Sequence, residues 1–150
     1  MGLTISYKNQ LVNLFGGRTQ NMNLGNVYLG LATGSPTDTD SGLTGLTEIS
    51  AGGYARVLLG SYNSSATYKM AAASNGSASN DSSILFPKAT ANWGSAGTPI
   101  TYLLFFSAAT GGTPFAYAPL SFSDSTHYVP SGNIANFDAN ALTITISDPA

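Results

Sequence analysis

Apolar residues recur at two different periods along the chain, and the change of period divides it. Tyr7, Leu11, Leu14 and Phe15 fall at i, i+4, i+7 and i+8, the stripe of a short helix over about residues 6–15. Thr4 or Ser6 is placed to cap its start and Gly16-Gly17 to end it. At about three turns such a helix is marginal alone, so its stripe is expected to lie against the body of the domain or a partner subunit. From Asn26 onward the period is that of strands. Residues 27–33 alternate large and small side chains, and residues 54–59 are rich in types that suit a pleated surface. Residues 84–86, 100–107, 115–122 and 142–146 follow the same logic. The run from Ile100 to Phe106 is apolar on both faces after Tyr102, which predicts a central strand covered on both sides. Leu142-Thr143-Ile144-Thr145-Ile146 alternates strictly, so one face is predicted to be buried.

Turn-rich segments separate these runs, the longest at residues 34–53, 61–83 and 123–139. Connections in compact domains are typically about 4 to 6 residues, and longer ones tend to be functional or disordered. Residues 71–83, mostly Ala, Ser and Asn, have almost nothing to bury and are expected to be flexible unless assembly orders them. No internal repeat is evident, which disfavours solenoids and propellers. Six or more short strands, Gly and Pro punctuation and one short helix predict a mainly β fold. The expected architecture is an antiparallel β-sandwich, of jelly-roll type or related, behind an N-terminal helix. The 150 residues are expected to make one domain, with the sandwich over about 26–147.

Composition narrows the function. Charged residues are 8% of the chain, against about 25% in average soluble proteins. Lys8, Arg18, Arg56, Lys69 and Lys88 form no basic patch, which argues against nucleic acid and membrane partners. A net charge of -2 gives weak protection against self-association, so a homo-oligomer packed among neighbours is the expectation. The absence of Cys removes disulfides, thiolate metal sites and cysteine nucleophiles. The start lacks a basic, apolar leader and no run approaches ~18 apolar residues, so assembly in a cytoplasm is expected.

Candidate reactive groups are few. His127 is the only histidine, and hydrolytic use would need a carboxylate such as Asp124 or Asp138 beside it. Asp38 and Asp40 make a weak calcium candidate, but the run lacks the glycine and the glutamate positions of an EF-hand loop. Glu48, the single glutamate, would have to partner an aspartate for glycoside hydrolysis. No cofactor is expected. Arg56 shares a strand face with Tyr54 and is expected to pair with a carboxylate or buried carbonyls. Its proposed partner is Asp38 or Asp40, which would anchor the 34–53 loop. Trp93 is expected to close one end of the core rather than to stack on sugars. Tyr7, Leu11, Phe15, Tyr54, Arg56, Trp93 and Tyr102 are therefore the interface or packing candidates.

Three patches carry a resemblance. They are Tyr28-Leu29-Gly30-Leu31-Ala32-Thr33, Gly52-Gly53-Tyr54-Ala55-Arg56, and Phe86-Pro87-Lys88-Ala89-Thr90-Ala91-Asn92-Trp93-Gly94. With Pro36, Asp38, Ala109-Thr110-Gly111-Gly112 and the run 141–146, their order and spacing resemble small bacteriophage tail-fibre-like virion proteins over residues 7–146. The resemblance implies a non-enzymatic structural part of a phage particle, in tail, neck or head, docking on other virion proteins. It also implies a compact β-sandwich behind an N-terminal helix. A capsid decoration protein and a receptor- or glycan-binding module, in which Trp93 and exposed tyrosines hold sugar, are the alternatives.

Overall fold

The computed structural model describes residues 2–16, 24–39, 42–62, 64–122 and 126–145. The chain is mainly β and antiparallel, with one α-helix near its start. After β1 (Gly2–Leu3) comes α1 (Ile5–Phe15), capped by the Thr4 hydroxyl, which accepts from the Tyr7 N–H. Nine further strands follow among the described residues, β2 (Asn26–Thr39), β3 (Gly42–Glu48), β4 (Val57–Ser61), β5 (Ser77–Ser79), β6 (Ile84–Lys88), β7 (Ile100–Phe106), β8 (Ala116–Pro119), β9 (Ile134–Phe137) and β10 (Thr143–Thr145).

One sheet of six strands runs β1-β8-β7-β2-β3, with β4 on the same side of β2 as β3. Two ribbons, β6-β9 and β5-β10, form the opposing layer. The core lies between them: Leu29 and Leu31 of β2, Leu103 and Phe105 of β7, Ile84 and Phe86 of β6, and Trp93. A smaller apolar cluster, Ala32, Leu104 and Phe106, lies on the other face of the six-stranded sheet. The central, doubly covered β7 is thus as the sequence predicts, because successive side chains point to opposite faces and both faces are filled.

The long segments are less open than expected. The 34–53 segment contains β3, because β2 runs on past residue 33 and turns back as a hairpin. The hairpin bends at Gly34 and Gly45, both with positive φ, where the register shifts. A Cβ on Gly34 would run into the Gly45 carbonyl, and one on Gly45 into the Ser35 carbonyl. The expectation of flexibility for residues 71–83 is corrected. Ser77–Ser79 pairs with Thr143–Thr145, and Asn75-Gly76, both left-handed, turn the chain between Ser74 and Ser77. Asn80, fully buried, locks this region: its amide donates to Ser82 O and Asp138 O and accepts from Leu142 N–H. One satisfied polar side chain thus does what apolar content does not.

Candidate functional site

β2 is paired on one side by β7 from Tyr28 to Thr33, but on the other side β4 stops at Leu29 and β3 at Ala32. The backbone of Leu31 falls in the gap. Buried peptide groups must be paired, and the chain leaving β3 does this. Ile49 N–H donates to Leu31 O at 2.9 Å, and Leu31 N–H donates to the Tyr54 hydroxyl at 2.9 Å. That hydroxyl donates in turn to Glu48 Oε1 at 3.0 Å. Gly30 leaves room for this arrangement, since a Cβ there would sit 2.9 Å from the Tyr54 oxygen and 2.9 Å from the Phe106 ring.

Arg56 completes the cluster. Its Nε and Nη2 grip Glu48 Oε1 and Oε2, each at 2.7 Å, while Nη1 donates to Ala108 O at 2.8 Å and Gly111 O at 2.7 Å. The guanidinium lies 3.3 Å over the Phe106 ring. Its side chain is 5% exposed and that of Glu48 26%. The partner expected from the sequence is therefore corrected: among the described residues Arg56 takes Glu48 and not Asp38, and it ties down the 107–115 turn as well as the segment leaving β3. The strand-and-hairpin course of residues 34–48 was the missing signal, because it carries the single glutamate back beside β4. Burial pushes the Tyr54 phenol well above its ordinary value. The Leu31 amide and Arg56 oppose that shift, and the Glu48 carboxylate adds to it.

Trp93 is 0% exposed, edge-on to Tyr54 at 5.3 Å and to Phe86 at 6.5 Å. Its indole N–H donates to Gly52 O at 3.0 Å, the carbonyl that also accepts from Thr90 N–H at 2.7 Å. A ring so enclosed presents no face to a sugar. The three sequence patches and the 109–112 run are thus tied together through Leu31, Gly52, Tyr54, Arg56, Trp93 and Gly111. Glu48 has both oxygens engaged and is not placed as a free acid or nucleophile.

The other candidates stand elsewhere. Asp38 accepts from Ile5 N–H through Oδ2 at 3.0 Å and so fastens the hairpin to the first turn of α1. Its Oδ1 is buried without a hydrogen-bond partner. Asp40 lies outside the described residues, and among the described residues no group of three or more His, Asp or Glu is placed to hold a metal. His127 has a left-handed backbone, gives its carbonyl to Ile100 N–H and sets its ring edge-on to Phe122; Asp124 is outside the described residues. Tyr102 is half-buried against Tyr117 on the sheet's second face.

α1 is different in kind. Tyr7 packs on Phe115 with ring centroids 5.1 Å apart, and Leu11 is half-buried. No residue of the helix is buried, and Val12 and Phe15 are 67% and 82% exposed. Beside its base opens an apolar cleft of about 660 Å³ lined by Leu3, Val27, Leu59, Met70 and Phe115, with exposed Tyr62 and Tyr68 at the margin. No helix among the described residues is long and apolar enough to cross a membrane.

A family model described as Podophage GP4 fiber I protein gp80 matches residues 2–145. No curated protein matches the chain.

Proposed function

Because the chain belongs to this phage fibre protein family, and is by that membership a virion component, we propose that it acts as a non-catalytic building block that self-associates and docks on other virion proteins. The observation that carries the reading is α1. A helix of 11 residues with none buried is marginal in water, and its apolar side chains Val12 and Phe15 face outward. The sequence leaves two places for the stripe of Tyr7, Leu11, Leu14 and Phe15, the body or a partner. The body takes Tyr7 and leaves Phe15, with Val12 beside the stripe, to the partner. The adjoining apolar cleft and its exposed tyrosines extend the same surface, and aromatic anchors of this kind are enriched at interfaces.

With 8% charged residues, such contacts rest on apolar burial and backbone pairing. Assembly should change little between low and high salt, and a strong loss of oligomer at raised ionic strength would contradict the reading. The direct test is the double variant Val12→Asp/Phe15→Asp. It should fold with an unchanged melting temperature yet fail to self-associate, by solution mass, and fail to enter particles. Normal incorporation would overturn the proposal.

A further inference from the structure

A second cleft, of about 740 Å³, opens between the six-stranded sheet and the β6-β9 ribbon, lined by none of the residues of α1. Its lining has an unusual order. Residues 133–138 line it consecutively, and so do residues 118–122. Successive side chains of a strand point to opposite faces, so a cavity that touches every residue in turn meets the edge of the strand, not a face. Both edges are open among the described residues: β9 pairs there with β6 alone, and β8, covered by β1 at Ala116 and Tyr117, leaves Ala118 uncovered, Pro119 having no N–H to offer. The floor between them is apolar, formed by Leu31, Leu103, Val129 and Leu142. At the rim Ile134 is 50% exposed.

We infer that this cleft accepts an extended strand from a partner chain, which pairs with the free edges of β8 and β9 and joins the ribbon to the large sheet. Unpaired strand edges offer rows of N–H and C=O groups, and strand addition is the binding mode that uses them. At ~3.3 Å per residue, the six consecutive lining residues 133–138 match an occupant of about five to seven residues. Its chemistry follows from the walls. Alternate side chains must be apolar, to cover the floor, and the others neutral and polar. Asp138 is the single charged residue lining the cleft, and its Oδ1 already accepts from the Asn136 amide at 2.8 Å, so an acidic segment is disfavoured there. The inference deepens the docking reading and rests on it. The cleft is lined by no residue of α1, so the Val12→Asp/Phe15→Asp variant tests that reading while leaving the cleft untouched.

The experiment uses the full chain and a capped synthetic peptide of about seven alternating threonine and valine residues, long enough for the cleft at ~3.3 Å per residue. Amide hydrogen exchange is followed residue by residue. Exchange in β9 and at Ala118 should slow on the order of tenfold with peptide present, with no change in α1. The same peptide with its central valine replaced by proline, which has no N–H to give, should protect nothing. Ala118→Leu, which narrows the floor, should abolish protection while its melting temperature stays near that of the parent. Ile134→Asp at the exposed rim serves as the second variant and should weaken protection. Equal protection by the proline peptide would overturn the inference. So would full protection of the β9 edge amides in the free chain, or binding of a neutral glucose oligomer in the cleft without amide protection.

Discussion

Two regions of this molecule treat their polar and apolar groups in opposite ways. Around Glu48, Tyr54, Arg56 and Trp93 the described hydrogen-bonding groups meet partners within the chain, and the large aromatic ring is fully enclosed. Around α1, apolar side chains face outward and no helix residue is buried. The first pattern specifies one arrangement and has nothing left to offer a ligand. The second holds surface in reserve. On the proposed docking reading, the difference assigns rigidity to the first region and association to the second.

Substitutions in the tied region should therefore cost stability first. Trp93→Ala is expected to lose about 3–5 kcal/mol, as other buried Trp truncations do. At this chain length that lowers the melting temperature by roughly 6–20 °C, measured by calorimetry. Arg56→Met leaves a partly exposed carboxylate with Tyr54 alone and should cost about 2–3 kcal/mol. Arg56→Lys keeps the charge but not the two-pronged grip or the reach to Ala108 and Gly111, for a loss of about 1–2 kcal/mol. An unchanged melting temperature in Arg56→Lys would show that the cluster is not a tie. Gly30→Ala should cost about 2 kcal/mol, because its Cβ meets the Tyr54 oxygen and the Phe106 ring at once.

The smallest effect expected is on pH. The Tyr54 phenol is raised in the folded chain, so the folded state keeps a proton that the unfolded state releases above about pH 10. Tyr54 thus contributes stability that is fully present below that pH and lost as the pH rises beyond it. Denaturant titrations of the parent and of Tyr54→Phe should diverge in slope above about pH 10 and nowhere lower. Equal slopes there would remove Tyr54 from the tie.

How legible these regions were in the sequence follows from the range of the interactions that build them. The helix from Tyr7 to Phe15 and the doubly apolar β7 were readable, because period and cap are local. So was the enclosure of Trp93, a large ring between turn signals. Two things were not readable. The Arg56 partner depends on β2 and β3 carrying Glu48 back across the sheet, and the run of Ser, Thr and Gly in residues 34–47 looks like a loop until the two glycines are seen to make a bent hairpin. The ordering of residues 71–83 depends on Asn80, a polar residue whose three amide bonds reach Ser82, Asp138 and Leu142. No periodicity announces such a residue. The outward stance of Phe15 was half readable, since a stripe states that a helix has a partner without saying which, while Val12 lies off that stripe and was not singled out.

The central claim is that the tied region is complete within one chain and that α1 is completed by a neighbour. A map of the intact phage particle at side-chain resolution tests it most directly. The account predicts Val12 and Phe15 buried against an adjacent subunit, with the Glu48, Tyr54 and Arg56 bonds unchanged. A particle in which α1 faces solvent while neighbours contact the Arg56 region would contradict it.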